Sequence, residues 1–94
     1  MNTQIKNIED AKEQTIAALE LKNGSTAPFF IIVNDLIEIA TSKGDNFIEW
    51  NMLTIPVHLK ITEYNIRELS SSYSRGGYIV ERNDMTLIVK WELF

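Results

Sequence analysis

The sequence contains no cysteine, and this absence excludes a large part of protein chemistry. Disulfide bonds, zinc–thiolate centres, iron–sulfur clusters and thiol nucleophiles all require cysteine side chains. Proline and glycine are also scarce, with two and four residues among 94. A chain of this length and composition has room for one hydrophobic core. We therefore expect a single domain over residues 1–94 that is held together by packing alone.

Sequence motifs for catalysis and for nucleotide binding are missing. The only histidine, His58, follows Pro56 in a connecting segment, and no Gly-x-Ser-x-Gly nucleophile turn is present. Neither phosphate-binding glycine motif, Gly-x-x-x-x-Gly-Lys-Ser/Thr or Gly-x-Gly-x-x-Gly, occurs. Acidic pairs such as Asp35 and Glu38 have a spacing typical of the solvated side of a helix. The sequence therefore predicts a protein that is not an enzyme, with no catalytic residue, cofactor site or metal site.

Long apolar runs and clustered positive charge are absent as well. No segment reaches the roughly 18 consecutive apolar residues of a membrane span, and the N-terminal residues lack the apolar core of a signal peptide. We therefore expect no membrane contact and a cytoplasmic location. The formal net charge is −4, and residues 57–94 carry five acidic and five basic side chains. This balance favours a protein partner or self-association over nucleic acid.

Start and stop signals predict three helices, over about 8–22, 27–42 and 63–74. Asn7 and Thr62 are suited to cap the first and third helices, and Asn23-Gly24 supplies a left-handed stop. The first helix carries one modest apolar stripe of small and branched residues: Ile8, Ala11, Thr15, Ile16, Ala18 and Leu19. The small side chains of this stripe would allow another helix to approach closely.

The second predicted helix is apolar over most of its circumference, which indicates burial on more than one side. In one interpretation the sheet covers one side of this helix and the first helix covers another. In the other, Phe29, Phe30 or Ile31 stays exposed and binds a protein partner or a second copy of the chain. The functional hypothesis places the partner-binding surface of an interaction protein on these three residues.

Three strands are predicted, over about 46–53, 78–82 and 85–93. A turn at Asn83-Asp84, whose side chains tolerate positive φ, would set Val80 opposite Leu87. Alternation would direct one set of residues to the core: Tyr78, Val80, Leu87, Val89, Trp91 and Leu93. We expect an α+β fold with a three-stranded antiparallel sheet, the last strand in its centre and the helices packed mainly on one face.

A few fixed points in the sequence carry a family resemblance. A helix leads to Gly77-Tyr78 and then Val80, and the closing strand ends near Trp91. In this pattern, which covers most of the chain, the sequence resembles the small uncharacterised accessory proteins of tailed bacteriophages. The resemblance implies a phage origin, a location in the host cytoplasm and a binding role, either in the virion or as an inhibitor of a host protein. It implies no catalytic residue.

The third helix and the hairpin keep an alternative function open. Their order is that of a winged-helix domain, with Arg67, Arg75 and Arg82 available for nucleic-acid phosphates. Only one helix lies between the first strand and the hairpin, however, whereas a helix-turn-helix needs two. The segment from Ser70 to Gly77 also has hydroxyls, an arginine and two glycines that could receive an anion. However, the segment lies at a helix C-terminus, where the helix dipole disfavours anions. Arg75 is then explained as a favourable charge at the helix end, and Gly76-Gly77 as a chain reversal.

Overall fold

The computed structural model describes residue 5 and residues 7–94, and the chain has an α+β fold. The elements follow in the order α1 (Ile8–Asn23), α2 (Ala27–Ser42), β1 (Phe47–Asn51), α3 (Glu63–Arg75), β2 (Ile79–Asn83) and β3 (Thr86–Lys90), with a short 3₁₀ helix at Met52–Thr54. The three strands form one antiparallel sheet in the order β1-β3-β2. The predicted fold class and the central position of the last strand are confirmed.

The hairpin turn lies one residue later than predicted. Asp84 alone among the described non-glycine residues has a positive φ, of 55°, so the turn begins at Asp84 and Asn83 remains in β2. The register shifts by two residues as a result, and Val80 pairs with Val89 instead of Leu87. Because the shift is even, the side chains of the hairpin keep their predicted faces of the sheet.

The core lies between the sheet and the inner sides of α2 and α3. Its buried apolar residues are Phe29, Val33, Ala40, Ile48, Trp50, Met52, Ile66, Leu69, Tyr73, Leu87 and Val89. The first and last strands are shorter than predicted. The side chain of Asn51 accepts a hydrogen bond from the Leu53 N–H and so starts the 3₁₀ helix, which ends β1. Beyond β3, Leu93 is 61% exposed, so the prediction that it lies in the core is wrong.

A Schellman motif ends α3 and delivers the chain to β2. The Tyr78 N–H donates to the Tyr73 carbonyl at 3.0 Å, and the Gly77 N–H donates to the Ser74 carbonyl at 3.1 Å. Gly77 has a φ of 98°, in the left-handed region that favours glycine. The rings of Tyr73 and Tyr78 meet edge to face at 5.6 Å, which supplies the hydrophobic contact of this motif. The predicted chain reversal at Gly76-Gly77 is confirmed.

The side chain of Asn65 ties the start of α3 to the connection between α1 and α2. Its Oδ1 accepts hydrogen bonds from the N–H and the hydroxyl of Thr62, both at 2.9 Å, and this completes a capping box at the predicted N-cap. Its Nδ2 donates to Thr26 Oγ1 at 2.9 Å and to the Gly24 carbonyl at 3.3 Å. Asn65 is fully buried, so these bonds replace the water that its amide loses on folding.

The helix α1 stands away from the core. Asn7 caps it by accepting a hydrogen bond from the Glu9 N–H, and Gly24 ends it with a φ of 86°, both as predicted. No residue of α1 is buried. The radius of gyration is 16.3 Å, whereas a compact domain of this length has about 12 Å. The interpretation in which the sheet covers one side of α2 is confirmed, because β1 packs against α2. Its other part, in which α1 covers a second side of α2, is wrong, because α3 packs there instead.

Candidate functional site

The partner-binding surface predicted on α2 is largely covered. Phe29 is 2% exposed and packs against Trp50, with the ring centroids 6.3 Å apart. Phe30 is half-buried against the ring of Tyr73, at a centroid distance of 5.8 Å. Ile31 is exposed, at 62%. Phe29 is therefore a core residue and not a contact surface, because β1 covers it, and α3 covers part of Phe30.

An exposed apolar surface lies on α1 instead. We call it the α1 seam and define it by six residues: Ile8, Ala11, Thr15, Ile16, Ala18 and Leu19. Ile8 is 67% exposed and Ile16 is 45% exposed. Shallow depressions lined by residues of the α1 seam run along the helix. The sequence predicted this stripe, but it did not reveal that the described part of the chain would leave most of it exposed, with only Ala11 and Leu19 partly buried.

The three arginines of the nucleic-acid alternative line one open groove between α3 and β2. This arginine groove has a volume of about 800 Å³ and is lined by Glu63, Ile66, Arg67, Ser70, Ser71, Ser74, Arg75, Val80 and Arg82. Residues three or four positions apart share one face of a helix, which aligns the arginines and serines of α3. The strand β2 contributes Arg82, which lies opposite Leu87 in the sheet.

Arg82 is already engaged by an acidic side chain. Its two terminal nitrogens donate to the Glu63 carboxylate at 2.6 and 3.0 Å, and its Nε donates to the Asp84 carbonyl at 2.8 Å. The hydrogen bonding from Arg82, helped by the charge of Arg67, holds the pKa of Glu63 below its usual value. The same bonding raises the pKa of Arg82. Sequence reasoning missed Glu63, because a carboxylate in the first turn of a helix is explained by the helix dipole alone.

Arg67 and Arg75 differ from Arg82 in having no such partner. Among residues 7–94, neither guanidinium forms a hydrogen bond or an ion pair, and both side chains are exposed. The hydroxyls of three serines lie between them along α3: Ser70, Ser71 and Ser74. The lining residues comprise three arginines and one glutamate, so the groove has a net charge of +2. The groove therefore offers hydrogen-bond donors and positive charge to a ligand that brings oxygen acceptors.

The two glycines of the predicted anion segment do not take part in this site. The Gly76 N–H donates to the Ser72 carbonyl and the Gly77 N–H donates to the Ser74 carbonyl, each at 3.1 Å. These backbone donors are already used to end α3. Any anion recognition by the segment 70–77 must therefore rely on side chains, and the structure directs Ser70, Ser71, Ser74 and Arg75 to the groove.

The same described residues also bear on metal binding and on membrane insertion. They contain no group of three histidine, aspartate or glutamate side chains placed to hold a metal ion, and His58 is exposed between β1 and α3. No single helix among them is both long and apolar enough to cross a membrane, and only α1 and α2 together, with a bend of 89°, reach the required length and composition. No protein-family model, curated protein or solved structure matches the chain.

Proposed function

We propose that this protein is a non-enzymatic interaction module that associates with a second copy of itself through the α1 seam. The observation that carries the proposal is that α1 has sixteen residues and none of them is buried. Even alanine-rich isolated helices become stable in water only beyond about 12–15 residues, and most helices in proteins are stabilised by packing of an apolar face. A helix of this length whose stripe is mostly exposed would gain further stabilisation if another surface covered that stripe.

The apolar side chains of the seam would supply that stabilisation. Fully burying an isoleucine or leucine side chain contributes about 1.5–3 kcal/mol. Ile8 and Ile16 are both exposed in the single chain, so covering them in both copies of a dimer would contribute several kcal/mol. The small residues Ala11, Thr15 and Ala18 leave room between them for close approach of a second helix backbone.

The stripe of small residues and the helix dipole of α1 favour an antiparallel second copy. The first turn carries Glu9 and Asp10, and the last turn carries Lys22. An antiparallel pair centred on Thr15 would set Ala11 of each copy beside Leu19 of the other, and Lys22 beside Ile8. The two helix dipoles would then be opposed, which is also favourable. Self-complementarity of this kind is what a two-fold symmetric dimer requires.

Sedimentation equilibrium of the wild-type chain and of two matched variants tests this proposal. Ile16→Asp places a carboxylate on the seam, and Leu21→Asp places one on another face of the same helix, where Leu21 is 90% exposed. We expect a wild-type dimer, at least about a tenfold weaker association for Ile16→Asp, and a wild-type dissociation constant for Leu21→Asp. Circular dichroism of both variants checks that they are folded. A monomeric wild type, or equal weakening by both variants, would show that the seam is not a self-association surface.

We also propose a source and a place of action for this protein. A role as an accessory protein of a tailed bacteriophage, in the virion or as an inhibitor of a host protein, rests on the sequence resemblance at Gly77, Tyr78, Val80 and Trp91. The rings of Tyr78 and Trp91 lie edge to face at 5.9 Å. This ring contact explains the presence of both residues by packing, independently of the source of the chain.

A further inference from the structure

We propose that the arginine groove binds a small phosphate monoester, with the phosphate group held by Arg67, Arg75 and the serine hydroxyls between them. The inference is independent of the association through α1, because the groove lies between α3 and β2. Its charge of +2 is suited to a group that carries about two negative charges at neutral pH, and a phosphate monoester does so.

The donors of the groove match the acceptors of a phosphate. Arginine presents a planar fork of N–H groups that pairs well with phosphate oxygens. Eight residues of α-helix separate Arg67 from Arg75, a rise of about 12 Å, and the serine hydroxyls lie on the same face between these two ends. Within the described chain the three hydroxyls have no hydrogen-bond partner. A ligand in the groove would therefore meet guanidinium groups at both ends and neutral donors in the middle.

A nucleic-acid strand fits the lining less well than a small monoester. Proteins that bind single strands combine a basic groove with aromatic side chains on which the bases stack. The arginine groove contains no aromatic residue. The protein as a whole carries a net charge of −4, which opposes the long-range attraction of a polyanion. Recognition by a few donors within one short groove is better suited to a single phosphate group.

Titration of the full-length protein with phenyl phosphate, followed by two-dimensional NMR of backbone amides, tests the site. We expect saturable shifts centred on residues 67–75, and weaker binding at pH 5 than at pH 8 because the monoester loses its second charge below about pH 6. Arg67→Gln and Arg75→Gln should each weaken binding about tenfold. Lys43→Gln is the matched control, since Lys43 is an exposed cation that does not line the groove.

Four outcomes would overturn the assignment. Shifts that do not saturate, or that are as large in Arg67→Gln and Arg75→Gln as in the wild type, would show that no phosphate site exists there. Equal weakening by Lys43→Gln would mean that only overall charge matters. A single-stranded oligothymidylate that binds more tightly than phenyl phosphate, with the same loss in the two arginine variants, would replace the monoester by a nucleic-acid strand as the ligand.

Discussion

Glu63 and Arg82 form a bidentate ion pair across the arginine groove, with nitrogen–oxygen distances of 2.6 and 3.0 Å. The pair joins the first turn of α3 to β2, and it offsets one of the three positive charges in the groove. Glu63→Gln removes the negative charge and raises the net charge of the groove from +2 to +3. We expect phenyl phosphate to bind about threefold more tightly. One additional unit of positive charge, several ångströms from the phosphate in a solvated site, strengthens binding by about this factor.

The control for this change is Glu68→Gln. Glu68 also lies on α3, but its carboxylate accepts a hydrogen bond from the Tyr64 hydroxyl and does not line the groove. Both variants raise the net charge of the protein by one unit. If Glu68→Gln increases the affinity for phenyl phosphate as much as Glu63→Gln does, the effect comes from overall charge and not from the groove.

Replacement of Asn65 by alanine should destabilise the fold. The variant leaves the buried Thr26 Oγ1 and the partly buried Thr62 N–H without their partner, and it removes the bond to the carbonyl of the exposed residue Gly24. Leaving a buried polar group unpaired costs about 1–3 kcal/mol, and we expect a loss of at least this size in the free energy of unfolding measured with urea. Asn83→Ala, at an exposed position of β2, is the control and should change it by less than about 0.5 kcal/mol. An Asn65→Ala protein as stable as Asn83→Ala would contradict the structural role given to this amide.

The hydroxyls of Tyr64 and Tyr73 should make the free energy of unfolding fall at high pH. Burial, with a smaller contribution from Tyr78, raises the pKa of Tyr73 to about 12, and burial and the hydrogen bond to Glu68 raise the pKa of Tyr64 to about 12. A free tyrosine ionises near pH 10, so the unfolded chain binds fewer protons than the folded chain between about pH 10 and 12. The free energy of unfolding should therefore decline over this range.

The variant Tyr73→Phe separates the contribution of one hydroxyl. Its urea midpoint should decline less steeply above pH 10 than that of the wild type, because only the titration of Tyr64 would remain from this pair. At neutral pH the variant should lose about 0.5–1.5 kcal/mol, since the Tyr73 hydroxyl donates to Asn34 Oδ1 at 2.6 Å. An unchanged slope above pH 10 would show that the Tyr73 hydroxyl ionises as readily in the folded chain as in the unfolded one.

Features set by a few neighbouring residues were predictable from the sequence. The caps at Asn7 and Thr62 and the helix stop at Gly24 each depend on side-chain chemistry within one turn, and the structure confirms them. The hairpin register was not predictable in the same way. Asn83 and Asp84 both tolerate positive φ, so residue type alone could not decide which of them starts the turn.

Features that depend on residues far apart in the chain could not be predicted from the sequence. The arginines could be named as a group, but their meeting in one groove depends on how α3 lies against β2. The pairing of Glu63 with Arg82 joins residues 19 positions apart. The direction of α1 depends in turn on the connection that Asn65 ties down at Gly24 and Thr26. The local sequence pattern predicts that α1 has an apolar stripe. Only the tertiary structure shows that α2 does not cover this stripe.

The two adjacent glycines after α3 should respond oppositely to alanine. Gly77 has a φ of 98°, and an L-residue in the left-handed region costs about 1–2 kcal/mol. Gly77→Ala should therefore lower the free energy of unfolding by about that amount, although nothing lies within 4 Å of the added Cβ. Gly76 has a φ of −77°, and an alanine Cβ there would make ordinary contacts of 3.4 to 3.7 Å.

Gly76→Ala should be neutral or should stabilise the protein by about 0.4–1 kcal/mol, because alanine has less conformational freedom in the unfolded chain. Urea unfolding of the two variants side by side measures the difference. Space around the added methyl group is ample at Gly77 and tighter at Gly76, so a steric argument alone would predict the reverse order. If Gly76→Ala loses more stability than Gly77→Ala, the backbone does not adopt the left-handed turn that joins α3 to β2.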